Sequence, residues 1–509
     1  MVAQECAAGT KNAVNGSVAP FIDMTVSSPV RVGLPVELDS AVDSAREQFG
    51  HWSPDASGWR EAREAVAQYY KDRGGEFTAN QVIVTASTSE AYSVLFKTFC
   101  DPGDVILTPM PGYPLLDTLA QLEHLECAPY FLKLVREKDS RPEARGMRPL
   151  RALREDVAKC HSVRTPECHS ERSEESSPAE QSAQAVAPQF RFVLDTDSLL
   201  AAPERARILL LVSPHNPTGH MVSLQEWNEV VRFCEENNLV LVVDEVFGDY
   251  VFSDEVKRSW QYLTHTSHPR EPFTSHPREG EDLAGHSGLE DDSRSPVKPG
   301  MTGGVESGMT AGVEPGMTGG VEPGMTAEED FFDCGGNDVV FAPKNGPKCP
   351  IFWLNGLSKA VGAPQLKFGW MAFYAPREKF EEIRAALEFV EDAYLSTSSC
   401  AQALAAPLLA NSAQYECLVR ERLLANWKTL QTAFPSKYCP KVLGGWYAVL
   451  HLGDDDEELT LRLLREKHVL VQPGFFFDFD EDGWIVISLL QEPAVFTEAI
   501  RRMSELRQK

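Results

Sequence analysis

Two unbroken apolar runs, Arg207 to Ser213 (RILLLVS) and Leu239 to Asp244 (LVLVVD), constrain this chain more than any other feature. Each has the length of a strand, and between them Leu224 to Glu236 places its apolar residues at helical spacing. A strand without polar alternation is buried on both faces, and strands joined through helices run parallel. Gln81 to Thr85 and Val105 to Pro109 read as further strands around a helical stretch from Ser89 to Cys100. The pattern predicts an α/β fold with a mainly parallel central sheet flanked by helices. In such sheets a ligand sits beyond the carboxyl ends of the strands, so the polar residues just after each strand are the ones to examine.

Two stretches depart from this pattern. Residues 136–189 are rich in Ser, Glu, Arg and Pro, and Cys160-His161-Ser162 is echoed by Cys168-His169-Ser170. Residues 264–330 repeat Thr-Ser-His-Pro-Arg-Glu at Thr266 and Thr274, then cycle Gly-Met-Thr from Gly300, Gly308, Gly316 and Gly324. Such low complexity buries too little apolar surface to offset chain entropy, so both read as insertions. About 390 residues remain outside them, enough for a large domain and a smaller one.

The formal charge is −27, of which the 13 acidic and 4 basic residues between Thr266 and Asp330 supply −9. An acidic chain without clustered Lys and Arg is a poor match for a nucleic-acid binder. Met1 to Ser17 lacks the apolar core of a signal peptide, and no later segment has the length to span a bilayer, so neither export nor a membrane is expected. The eleven cysteines are scattered from Cys6 to Cys439 without a CxxC pair, which points to a reducing cytoplasm and to no metal site.

Three strand ends carry candidate chemistry: Ser213-Pro214-His215-Asn216-Pro217-Thr218-Gly219, Asp244-Glu245, and Gly356-Leu357-Ser358-Lys359 after the apolar run Ile351 to Leu354. A lysine just past a buried strand is partly desolvated, which lowers its pKa and frees its amine to attack an aldehyde. An aspartate closing an all-apolar strand is costly to bury unless it meets a cation, and a protonated pyridine nitrogen suits Asp244. Asn216 is good turn chemistry whether or not it also holds a ligand. In Thr85-Ala86-Ser87-Thr88-Ser89-Glu90-Ala91 the chain passes from strand to helix. There Ser87, Thr88 and Ser89 either cap the helix or, with its free N–H groups, hold a phosphate.

With these motifs in this order, the chain resembles the class I and II aminotransferases, which carry pyridoxal 5'-phosphate, over nearly all its length outside the two insertions. The resemblance implies Lys359 as the lysine that carries the cofactor as an imine and shuttles protons. It implies Asp244 at the pyridine nitrogen and Asn216 at the ring hydroxyl. Ser87, Thr88 and Ser89 fall at the cofactor phosphate, Ser358 beside the lysine, Tyr113 against the ring, and Lys367 where the family has a phosphate-gripping arginine. The resemblance also implies a large cofactor-binding domain over 51–390, interrupted by the insertions 136–189 and 264–330. Residues 1–50 and 391–509 would form a smaller α+β domain, and the whole a homodimer. The implied activity exchanges an amino group between an amino acid and a 2-oxo acid. A lyase reaction on the same cofactor, and a cofactor-binding protein without turnover, are the alternatives.

Five positions depart from the family pattern. Lys367 keeps the charge of the arginine and loses its bidentate fork. Phe247 replaces a tyrosine that serves the ring hydroxyl, Gly356 a hydroxyl residue, and Trp52 a tyrosine that crosses the dimer interface. Val486, in Ile485-Val486-Ile487-Ser488, aligns with the arginine that clamps the substrate α-carboxylate.

Overall fold

The structure, a computed structural model, describes residues 20–34, 36, 38–137, 189–253, 256–265, 331–333, 339–343, 346–453 and 455–508. The two low-complexity stretches fall almost wholly outside the described residues. By its internal contacts the chain divides into one unit of Met1–Thr266 with Glu329–Lys509, to which the architecture below belongs, and a second, Ser267–Glu328, outside the described residues.

Eight strands form the central sheet: β1 Val82–Thr85, β2 Val105–Met110, β3 Glu126–Arg136, β4 Phe190–Leu194, β5 Ala206–Val212, β6 Val240–Asp244, β7 Ile351–Gly356 and β8 Gly369–Tyr374. Their spatial order is β1-β8-β7-β6-β5-β2-β3-β4. Strands β7, β6, β5, β2 and β3 pair in parallel, β8 runs antiparallel to both of its neighbours, and β4 is an antiparallel edge. The expected mainly parallel α/β sheet is therefore present.

The unbroken apolar runs are explained by burial on two sides. In β6 and β7 the side chains of Leu241, Val243, Ile351 and Trp353 enter one apolar cluster and those of Val242, Phe352 and Leu354 another, as strand alternation requires. Helices α1 Arg60–Lys71 and α2 Thr88–Phe99 contribute to opposite clusters: Val66 and Tyr70 join the first, Leu95 and Phe96 the second.

The register gathers the site. Asp244 on β6 pairs with Val212 on β5 and Leu354 on β7, while Gly369 at the start of β8 pairs with both Gly356 and Thr85. The carboxyl ends of β1, β5, β6 and β7 thus share one edge with the beginning of β8.

A second, antiparallel sheet has the order β9 Tyr447–His451, β11 Trp484–Ser488, β10 Gln472–Pro473. Ile22–Asp23, from the other terminus, pairs in parallel with Val469–Leu470, and Ile22 and Met24 share an apolar core with Trp427, Leu450, Ile487 and Phe496. The two ends of the chain thereby build the smaller α+β part. Among the described residues no helix is long and apolar enough to cross a membrane, and no group of three His, Cys, Asp or Glu gathers as a metal site.

Candidate active site

A cavity of about 320 Å³ opens at the shared edge of the central sheet. Each site residue expected from the sequence lines it. Ser87, Thr88 and Ser89 follow β1, Tyr113 follows β2, Asn216 follows β5, and Asp244 ends β6. Ser358 and Lys359 follow β7 in the single helical turn Leu357–Ala360, and Lys367 precedes the antiparallel β8.

Burial lowers the Lys359 amine to about 8, with Asp244 pulling in the opposite direction. Its Nζ donates to the Ser27 carbonyl at 3.5 Å, and its own backbone carbonyl accepts from the Tyr250 hydroxyl at 2.5 Å. Near pH 8 a large fraction of this amine is neutral, the state that attacks a carbonyl carbon.

Burial pushes the Asp244 carboxyl up, while the Val246 N–H, the Tyr92 hydroxyl and Lys359 favour its charged form. The bonds behind this are Val246 N–H to Oδ1 at 3.0 Å and Tyr92 O–H to Oδ2 at 2.8 Å. A half-buried carboxylate at the foot of a cavity is stabilised by a facing cation.

At the start of α2 the Ser87 hydroxyl caps the helix by accepting the Glu90 N–H at 3.2 Å, so the capping reading holds for that residue. The first intrahelical bond runs from the Ala91 N–H to the Ser87 carbonyl, which leaves the Thr88 and Ser89 N–H groups ahead of the ladder at the positive end of the helix dipole. Gly369 lets this turn lie against the sheet, and Gly356 lets β7 lie against the start of β8. A Cβ on Gly369 would come within 2.9 Å of the Ser87 carbonyl carbon, and one on Gly356 within 2.9 Å of the Phe368 oxygen. The same crowding leaves no room for a side chain at Gly356 without a shift of its neighbours.

Tyr113 lines the cavity with 47% of its surface exposed, which puts it at the mouth. Val486 is fully buried in β11 beside Val449, in an apolar cluster with Phe477 and Trp484. Trp52 is 71% exposed and lines a separate small cavity with Glu391.

The model of the family described as aminotransferase class I and II matches residues 37–169, 179–269 and 325–503. The chain belongs to this family. Relatives of this aminotransferase-family chain include the LL-diaminopimelate aminotransferase of Methanocaldococcus jannaschii, 26% identical over 46% of the chain and 43% of that protein. The human tyrosine aminotransferase is 22% identical over 46% of the chain and 41% of its own length. The chain thus spans less than half the length of these curated relatives. Among solved structures, alanine aminotransferase from Pyrococcus furiosus superposes with a TM-score of 0.62 at 19% identity, covering 100% of this chain and 96% of its own. Aspartate aminotransferase from Thermotoga maritima gives 0.61 at 17% identity, covering 100% and 96%. This likeness is one of fold.

The donor set in this aminotransferase fold fits pyridoxal 5'-phosphate. Asn216 Oδ1 is buried without a partner and has hydrogen-bonding capacity for a ligand, Asp244 suits a pyridinium, and the α2 turn with Lys367 suits a dianion. Sequence reasoning missed Tyr92 and Tyr447, which also line the cavity. Tyr92 lies one helical turn after Thr88, on the same face, and that spacing would have found it. Nothing local in the sequence links Tyr447, on β9, to the central sheet.

Proposed function

We propose that this chain is a pyridoxal 5'-phosphate-dependent aminotransferase exchanging an amino group between an amino acid and a 2-oxo acid. The observation that carries the reading is a desolvated amine, Lys359, and a half-buried carboxylate, Asp244, in the wall of one cavity that also includes the first turn of α2. The names of these two relatives, both aminotransferases, support it.

When bound, pyridoxal 5'-phosphate supplies an electron sink for the charge left on the substrate α-carbon. Asp244, itself oriented by Tyr92 and the Val246 N–H, would hold the ring nitrogen protonated. Asn216 serves the ring oxygen without help from Phe247. Thr88, Ser89, the Ser87 turn and Lys367 would hold the phosphate, and Tyr113, at the mouth, would help to hold the ring. Lys359, with Ser358 beside it, attaches the cofactor. With its amine free, Lys359 would take the proton of the substrate α-carbon on Nζ and deliver it to the cofactor carbon that receives the amino group.

Residues 51–390 would form the cofactor domain, with 1–50 and 391–509 in the smaller one. The chain would act as a cytoplasmic homodimer, and the exposed Trp52, Phe389 and Tyr394 are aromatic side chains of the kind a second copy covers.

The test is exchange. Incubation with a nitrogen-15-labelled amino acid and an unlabelled 2-oxo acid is expected to give the labelled amino acid of the acceptor, with ping-pong kinetics. Release of ammonia without an acceptor would instead support a lyase. Tyr92→Phe is expected to lower kcat roughly tenfold or more at unchanged helix content, since a hydrogen bond to a charged acceptor is worth about 1.5–3 kcal/mol. Steady-state rates and circular dichroism check this.

A further inference from the structure

The Lys359 amine faces more than the charge of Asp244. Its Nζ lies 4.7 Å from the centroid of the Trp446 ring and 5.5 Å from that of Phe247. Trp446 is fully buried, just ahead of β9, and its ring is fixed by Phe247 at 5.3 Å and Tyr250 at 5.1 Å between centroids. The Gly445 N–H donates to the Tyr250 carbonyl at 2.9 Å, and the Tyr250 hydroxyl donates to the Lys359 carbonyl. One connected set of contacts therefore holds both the backbone of the lysine and the aromatic faces around its amine.

We propose that the faces of Trp446 and Phe247 form a seat for the ammonium of Lys359, with Trp446 a positioning residue for the proton transfer that the aminotransferase reading assigns to that lysine. The inference rests on that reading for its role in turnover. An aromatic face attracts a cation through the ring quadrupole, more strongly where water is excluded. Burial favours the neutral amine and the aromatic faces favour the charged one. When the C–H bond of the substrate breaks, the proton passes to Nζ and the bonding pair stays on the substrate. Trp446 then meets the new positive charge. The seat thus balances an amine that must be neutral to accept a proton and charged after it has done so. The other titratable groups in the surrounding wall are Asp244, Lys367, Tyr92, Tyr113 and Tyr447.

The basicity of Lys359 is read directly by acetic anhydride labelling across pH, quantified by peptide mass spectrometry. It is measured in the full chain with and without pyridoxamine 5'-phosphate, which offers the lysine no aldehyde. Trp446→Leu is expected to lower the labelling midpoint by about one pH unit, and Trp446→Phe by less, because phenylalanine keeps a weaker aromatic face. A merely structural residue would not order the two variants this way. Should Trp446→Leu fail to fold, a fluorinated tryptophan at position 446 keeps the shape, withdraws ring electrons, and is expected to lower the midpoint too. Midpoints equal to that of the unaltered chain in a folded variant would overturn the seat. If pyridoxal 5'-phosphate is still reduced onto Lys359 by borohydride in that case, the aminotransferase reading survives. A lowered midpoint in a chain that binds no cofactor upholds the seat and removes its role in turnover.

Discussion

Lys359→Ala is expected to abolish amino-group exchange, lowering kcat by roughly 10³-fold or more, because it removes the covalent attachment and the proton carrier together. The variant should still fold. Lys359 ends in the cavity wall and makes one long bond to the Ser27 carbonyl, whereas its backbone contact with Tyr250 does not depend on the side chain. Circular dichroism and steady-state exchange separate loss of function from loss of fold. In the unaltered chain, cofactor capture should quicken as pH rises toward about 8 and level off above it, since burial lowers the amine to that value and only the neutral form attacks. A capture rate that fell over that range would assign the reaction to another group.

Asp244→Ala is expected to leave some cofactor bound and to lower kcat by roughly two to four orders of magnitude. Leaving a buried charge without its partner costs about 3–5 kcal/mol, and the ring nitrogen would be that charge. Asp244→Asn keeps the shape and an acceptor for the Tyr92 hydroxyl, so it tests charge apart from packing. Retained cofactor absorbance with lost turnover in both variants is the expected result. Unchanged turnover in Asp244→Asn would refute the electrostatic role of this carboxylate.

Much of the fold was legible because β5, β6 and β7 are buried on both faces, and apolar runs such as RILLLV signal that burial directly. The direction of β8 was not legible, since its apolar sequence GWMAFY reads the same in parallel and antiparallel pairing. The apolar run that marks β7 stops at Leu354, whereas the strand continues to Gly356, because a polar Asn355 does not signal burial by itself. Its amide is instead buried, donating to the Tyr69 hydroxyl at 3.2 Å and accepting the Gly356 N–H at 2.7 Å.

The candidate site was legible for one physical reason: apart from Lys367, which precedes β8, its residues stand at or just after the ends of strands whose carboxyl ends the register brings to one edge. Side chains that arrive from elsewhere were harder to see. Tyr92 needs the phase of α2, and Trp446 reaches Lys359 only because the chain ahead of β9 packs against Tyr250. Val486, the position where the family resemblance leads one to expect a clamping arginine, has its strand face packed with Val449 and Phe477, apolar surroundings that the sequence did not reveal.

The most direct measurement is borohydride reduction of the purified full chain with pyridoxal 5'-phosphate, followed by peptide mapping. The account predicts one phosphopyridoxyl group per chain, on Lys359. Reduction onto Lys367 or a surface lysine, or no stable adduct at all, would contradict it.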